Sequence, residues 1–126
     1  GFPQALYDTH YPAPGSPELA QHLVDLLAPV PVTLDKEAWG FDHGSWGVLI
    51  KMYPHADIPM VQLSIDSTKP AAWHFEIGRK LAALRDEGIM LVASGNVVHN
   101  LRTARWHGED TPYPWATSFN EYVKAT

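Results

Sequence analysis

The sequence has no cysteine among its 126 residues. That absence excludes disulfide bonds, thiolate metal ligands and a cysteine nucleophile, and it is compatible with a reducing cytoplasm. No apolar run approaches the roughly 20 residues that a transmembrane helix requires. No basic segment followed by an apolar one indicates a signal peptide. We therefore expect a cytoplasmic protein that has no membrane partner.

Basic residues are scarce, with nine Lys and Arg against fourteen Asp and Glu, and the net charge is -5. A nucleic-acid surface needs a basic stripe to displace counterions, so we expect no nucleic-acid partner. Apolar residues make up 45% of the chain, which is enough to bury a core. Five Trp suit pockets that hold flat ligands. Seven His provide candidates for metal ligation or proton transfer near neutral pH.

Helices and strands are predicted to alternate along the chain. Three short apolar segments are predicted as strands: residues 30–34, 59–65 and 89–93. Four helices are predicted: from Ser16 to about Ala28, over residues 46–53, over residues 70–87, and from Pro114 onward. Residues 46–53 are too short to classify by their period and are predicted as a helix because they lie between two predicted strands. This order predicts an α/β fold with a mostly parallel sheet and helices on both faces. We expect residues 1–126 to form a single, partial catalytic domain.

Local signals fix several of these boundaries. Ser16 is the expected N-cap of its helix, with Pro17 in the first helical position. Gly88 is a natural residue to end the helix over 70–87. The run over residues 89–93 is apolar throughout, which is typical of a strand buried on both faces. Residues 1–16 are rich in proline and are expected to be irregular.

Two histidines follow predicted strands. His43 lies in the loop after residues 30–34, together with Trp39, and His99 lies in the loop after residues 89–93. Ligands of open α/β sheets bind beyond the carboxyl ends of the strands. If both strands are parallel, the two imidazoles open on the same edge of the sheet. We therefore predict that His43 and His99 converge on one pocket.

Each histidine also has a structural interpretation. His43 precedes Gly44, which would allow close approach of a ligand, but a loop histidine that caps the following helix is equally consistent. His99 follows Ser94-Gly95-Asn96 and would serve as a general base, or it would hydrogen-bond to the loop backbone instead. No pair of histidines has the HExxH spacing. The motifs alone therefore do not assemble a complete metal site.

Three segments together carry a family resemblance: GFPQALY at 1–7, WGFDHGSW at 39–46 and SGNVVHN at 94–100. They resemble the class III extradiol ring-cleaving dioxygenases of the LigB superfamily, and among these the bacterial members related to plant DOPA dioxygenases. The resemblance covers essentially the whole chain. Family members are about twice as long, and their three principal metal-binding histidines have no counterpart here. The chain therefore resembles the central part of such an enzyme, with an incomplete LigB-like fold.

The resemblance implies a metal-dependent extradiol dioxygenase that opens catechols such as DOPA with O₂. It matches His99 to the family's acid–base histidine, which is also a candidate metal ligand, and His43 to a second histidine that contacts substrate or dioxygen. The implied cofactor is a divalent non-haem metal, Fe(II) or Zn(II), whose other ligands are expected outside this chain. Our own inference adds Trp39, Trp46 and Tyr7 as walls for an aromatic substrate.

The sequence is also compatible with two other functions. The chain could be a non-catalytic α/β module for binding or assembly, or a metal-dependent hydrolase built on a similar sheet. The expected partners are a small aromatic diol, O₂ and the missing N- and C-terminal parts of the same protein. We also expect self-association, because each Å² of apolar sheet surface left in water is unfavourable by about 25 cal/mol, and association would cover that surface.

Overall fold

The computed structural model describes residues 3–105 and 111–126. The chain divides into two units, Gly1–Ala93 and Ser94–Thr126. In the first unit lie α1 (Gln4–Asp8), α2 (Pro17–Leu27), α3 (His43–Met52), α4 (Ala71–Leu81) and a 3₁₀ helix (Ala82–Glu87) that continues α4. In the second unit lies α5 (Pro114–Ala125).

The predicted α/β fold with a parallel sheet is wrong for the part of the chain that the structure describes. There, strand pairing is limited to one parallel bridge between Gly15 and Met60, where the Met60 N–H donates to the Pro14 carbonyl at 2.9 Å. A strand exists only through a ladder of backbone hydrogen bonds to a neighbour. β-propensity reflects fit to a packed, pleated surface rather than an intrinsic backbone preference. Apolar composition alone therefore did not make these segments strands.

The segment over residues 89–93 shows the error most clearly. It was expected to be buried on both faces, yet Met90, Leu91 and Val92 are 65%, 45% and 48% exposed. Its backbone is irregular throughout. A continuous apolar run indicates that a segment can be buried, but it does not supply the surface that buries it.

The helix predicted from Ser16 is confirmed as α2. The Leu19 N–H donates to Ser16 Oγ at 3.3 Å, and Pro17 opens the helix. α2 contacts α4. Leu27 at the end of α2 and Leu84 in the 3₁₀ helix are only 1% and 2% exposed, so they are the centre of the first unit's core.

A lysine on α4 also stabilises the C-terminal end of α2. Lys80 Nζ on α4 donates to the carbonyls of Leu27 and Ala28 at 3.4 and 3.3 Å. Those carbonyls have no partner inside a helix, and a cation there also complements the negative end of the helix. The Lys80 contacts therefore tie the end of α2 to α4.

Other boundaries differ from prediction by about one turn. α3 begins at His43, three residues before the predicted start, and residues 4–8 form a short helix where irregular structure was expected. Gly88 ends the α4 segment with φ of 76°, as predicted. The helix predicted from Pro114 is confirmed as α5. Within the described ranges, no helix has both the length and the apolar character that a membrane crossing requires.

Candidate functional site

His43 is the first residue of α3 and is exposed. The residue before it, Asp42, is the N-cap, and its Oδ1 accepts a hydrogen bond from the Ser45 N–H at 2.8 Å. The capping role considered for His43 therefore belongs to Asp42. A helix N-terminus carries a partial positive charge, so His43 lies where negative charge on a ligand would be stabilised.

Gln62 braces the first turn of α3. Its Oε1 accepts from the Asp42 N–H at 3.0 Å and from the Ser45 hydroxyl at 2.9 Å. Its Nε2 donates to Asp42 Oδ2 at 3.2 Å. One amide side chain thus holds both the backbone and the carboxylate of the N-cap. We call Asp42, Ser45 and Gln62 the cap network.

Gly44 fits closely beside this network. A Cβ at this position would lie 3.3 Å from Asp42 Oδ1, closer than most real Cβ contacts. Glycine therefore lets the capping carboxylate approach the backbone next to His43. The sequence predicted that Gly44 would allow close approach of a ligand, whereas the structure places the Asp42 carboxylate beside it. The sequence gave no sign that Gln62 would take part.

The three aromatic residues proposed as substrate walls lie on separate elements of the first unit. Tyr7 is on α1 and is 63% exposed, whereas Trp39 lies in the loop before α3 and is 87% exposed. Trp46 is on α3 and is half-buried. Their role as walls of a substrate pocket stays a prediction.

His99 lies in the second unit and lines a cleft of about 510 Å³. We call it the His99 cleft. Its lining combines amide, aromatic and cationic side chains, among them Asn96, Asn100, Arg105, Tyr113 and Trp115. His99 itself is exposed, so its ring is accessible to a ligand in the cleft.

The turn after His99 is held by Asn100. Asn100 Oδ1 accepts from the Arg102 N–H at 3.1 Å, and the Asn100 carbonyl accepts from the Thr103 N–H at 3.1 Å. An Asn side chain that bonds to the backbone two residues ahead is a common way to fix a turn. This turn sets the direction in which the chain leaves His99.

A cation and two stacked rings line the same cleft. The guanidinium carbon of Arg105 lies 4.2 Å from the centroid of the Tyr113 ring. Arg105 Nε donates to Tyr113 Oη at 3.2 Å, and Nη1 donates to the Thr111 carbonyl at 3.2 Å. The Tyr113 and Trp115 rings are stacked with centroids 5.7 Å apart and an interplanar angle of 19°. An aromatic, positively polarised surface thus lies in the cleft with His99.

Sequence reasoning missed Arg105, Tyr113 and Trp115, because the sequence predicts only a helix from Pro114 onward in this part of the chain. The available signal was the pair of aromatic residues on either side of Pro114. His43 belongs to the first unit and His99 to the second. Their convergence on one pocket stays a prediction.

The described residues do not form a metal centre by themselves. Within residues 3–105 and 111–126, no group of three or more His, Cys, Asp or Glu side chains is placed to hold a metal ion. A catalytic non-haem site of this type needs about three protein ligands. His99 therefore remains at most a single candidate ligand.

Comparison with known proteins adds a family and several relatives. Residues 2–124 match a family model described as the catalytic LigB subunit of aromatic ring-opening dioxygenase. An Escherichia coli K12 protein named 4,5-DOPA dioxygenase extradiol is 90% identical over 125 residues, which are 99% of this chain and 46% of that protein. A Beta vulgaris protein of the same name is 42% identical over 127 residues, or 98% of this chain and 47% of that protein.

A solved structure is similar as well. The crystal structure of an uncharacterized Escherichia coli K12 protein superposes with a TM-score of 0.82 at 90% identity. The match covers 95% of this chain and 49% of that one. The chain thus spans about half the length of the curated relatives that it matches.

Proposed function

The chain belongs to the LigB family of aromatic ring-opening dioxygenases, and we propose that the protein containing it opens the ring of catechols such as DOPA with O₂, next to the two hydroxyl groups. The observation that carries this proposal is the family match over residues 2–124, joined by 90% identity to a protein named 4,5-DOPA dioxygenase extradiol. The His99 cleft supports it, because an imidazole beside stacked aromatic rings suits a flat, acidic diol.

Extradiol dioxygenases of the LigB family depend on a non-haem metal. The described residues do not provide the set of ligands that would hold a metal ion, so the roles proposed for them do not include holding the metal by themselves. Our proposal is that Fe(II) or Zn(II) is bound mainly by residues of the whole protein that lie outside this chain. His99 is the candidate ligand within it.

His99 is proposed as the acid–base residue. Opening a catechol requires that hydroxyl protons leave and that a proton return to oxygen later in the reaction. An imidazole can perform both transfers near neutral pH because its ordinary pKa lies close to that range. The exposed position of His99 in its cleft makes such a transfer to a bound diol sterically feasible.

His43 is proposed to donate a hydrogen bond to negative charge that develops on substrate or dioxygen. Its position at the first residue of α3 supports this role, because the helix dipole favours negative charge at that end. The cap network holds the backbone on both sides of His43. Trp39, Trp46 and Tyr7 are proposed as walls for the aromatic ring.

The remaining half of the protein is the proposed physical partner of this chain. Ile65 is 82% exposed and Met90 is 65% exposed, and apolar side chains of this kind are stabilised when another surface covers them. Self-association through the same residues is the alternative way to cover them. The absence of cysteine suits the cytoplasm, which is the proposed compartment.

The test is His99→Ala in the full-length, metal-loaded protein. We expect the rate of ring cleavage, followed as the yellow product, to fall by about 10²–10⁴-fold, which is the usual contribution of a general acid–base group. His55→Ala is the matched control, because His55 is exposed in a turn outside the proposed site. An unchanged cleavage rate in His99→Ala would remove His99 from the mechanism.

A further inference from the structure

We propose that Arg105 binds the carboxylate of an amino-acid catechol in the His99 cleft, and thereby selects catechols that carry an acid group. This inference rests on the proposed ring-cleaving function and specifies the substrate class that the same site accepts. It assigns Arg105 to substrate recognition rather than to chemistry.

Arg105 is held in a defined orientation. It donates hydrogen bonds to the Tyr113 hydroxyl and to the Thr111 carbonyl, and its guanidinium lies over the Tyr113 ring. These two bonds use two of the five N–H donors that a guanidinium carries. A planar guanidinium with a fixed orientation is suited to a carboxylate, because two parallel N–H donors match its two oxygens.

The charge of the described residues that line the cleft favours an anion. Of the described residues that line it, Arg105 is the one with a permanent charge, and none is acidic. The chain as a whole has a net charge of -5, so the described lining of the cleft differs in sign from the average of the protein. α5 begins at Pro114, directly after Tyr113, and the partial positive charge of its N-terminus adds to that of Arg105.

The other features of the cleft suit the rest of such a substrate. The stacked rings of Tyr113 and Trp115 provide an apolar face for an aromatic ring. His99 lines the same cleft, where it would meet the diol end. A volume of about 510 Å³ lies within the roughly 300–1,000 Å³ that is typical of small-molecule sites.

The test compares two catechols that differ in one group. DOPA and dopamine share the diol, the ring and the amine, but only DOPA has a carboxylate. In the full-length, metal-loaded protein, we expect Arg105→Gln to raise the KM for DOPA by about tenfold, equivalent to 1.4 kcal/mol. The KM for dopamine should stay unchanged. Arg79→Gln is the matched control, because Arg79 pairs with Glu76 on the exposed surface of α4.

A second variant and a binding measurement complete the test. Arg105→Lys keeps the charge but loses the planar pair of donors, so it should also raise the KM for DOPA selectively even if Arg105→Gln does not fold. Titration of tryptophan fluorescence without oxygen gives the Kd of each catechol without turnover. Wild-type protein should bind DOPA more tightly than dopamine, and both Arg105 variants should reduce that preference.

The outcomes separate the two proposals. Equal effects of the Arg105 variants on both catechols, or no effect on either, would overturn the role of Arg105 while leaving ring cleavage intact. Selective binding of DOPA that depends on Arg105, with neither catechol being cleaved, would support Arg105 and contradict the proposed function.

Discussion

Replacement of Gln62 by Ala should loosen the N-terminus of α3 and thereby the position of His43. The substitution removes three hydrogen bonds, two accepted by Oε1 and one donated by Nε2. A hydrogen bond contributes about 0.5–1.5 kcal/mol net, and exposed bonds lie at the low end because water replaces them, so we expect a loss of about 1–2 kcal/mol. The loss should be local, because all three bonds end on the first turn of α3.

Hydrogen exchange in the full-length protein measures this local loss. The Ser45 and Trp46 N–H groups donate to Asp42, so their exchange reports whether the first turn is closed. A loss of about 1–2 kcal/mol should speed it by about 5–30-fold. Gln21→Ala is the matched control, because Gln21 makes one exposed hydrogen bond to Asp25 on α2; it should leave α3 exchange unchanged.

A second substitution tests the direction of the bonds. Gln62→Glu keeps an acceptor for the Asp42 N–H and the Ser45 hydroxyl, but it places a carboxylate where Nε2 donated to Asp42 Oδ2. Two carboxylates repel each other near neutral pH, and protonation restores a donor. The increase in the hydrogen-exchange rate of the first turn of α3, relative to wild type, should therefore become smaller as the pH falls. Unchanged α3 exchange in both Gln62 variants would refute the cap network.

Two further predictions concern the first unit. Leu27→Ala should lower the free energy of unfolding by about 2–5 kcal/mol because Leu27 is 1% exposed. Unfolding in urea, compared with the control Leu26→Ala at a half-buried neighbour, should show the larger loss for Leu27→Ala. Equal losses in the two variants would contradict the assignment of Leu27 to the core. Hydrogen bonds from the Thr68 hydroxyl and N–H lower the pKa of Asp66. Thr68→Ala should therefore raise that pKa in an NMR titration. A depressed carboxyl pKa stabilises the fold above the unfolded-state pKa, and that contribution is lost as pH falls through the folded-state value.

Helix ends were predictable because their signals are local. The Ser16 cap, the Pro at the start of α5 and the left-handed Gly88 each act within a few residues, and the structure shows all three. The predicted sheet depended on pairing between distant segments, which composition does not determine. The apolar run over residues 89–93 had the right composition for a buried strand, but it lacks strand pairing in the described chain.

The candidate site was predictable only in part for the same reason. The sequence singled out His99 by its loop, and the structure places it in a cleft. Gln62 was missed because it acts through hydrogen bonds to residues 17 and 20 positions away in the sequence. Arg105 was missed because it acts through a hydrogen bond to Tyr113, eight residues further along the chain. The family was recognised from three short motifs, and the family match over residues 2–124 confirms it.

Oxygen uptake by the full-length, metal-loaded protein with DOPA is the most direct measurement of the proposed function. A dioxygenase places both atoms of O₂ in the product, so we predict that one molecule of O₂ disappears for each ring opened, and that both rates fall together in His99→Ala. Consumption of the substrate without O₂ uptake would indicate hydrolysis, and the absence of any turnover would indicate a binding module; either result would contradict ring-opening dioxygenation.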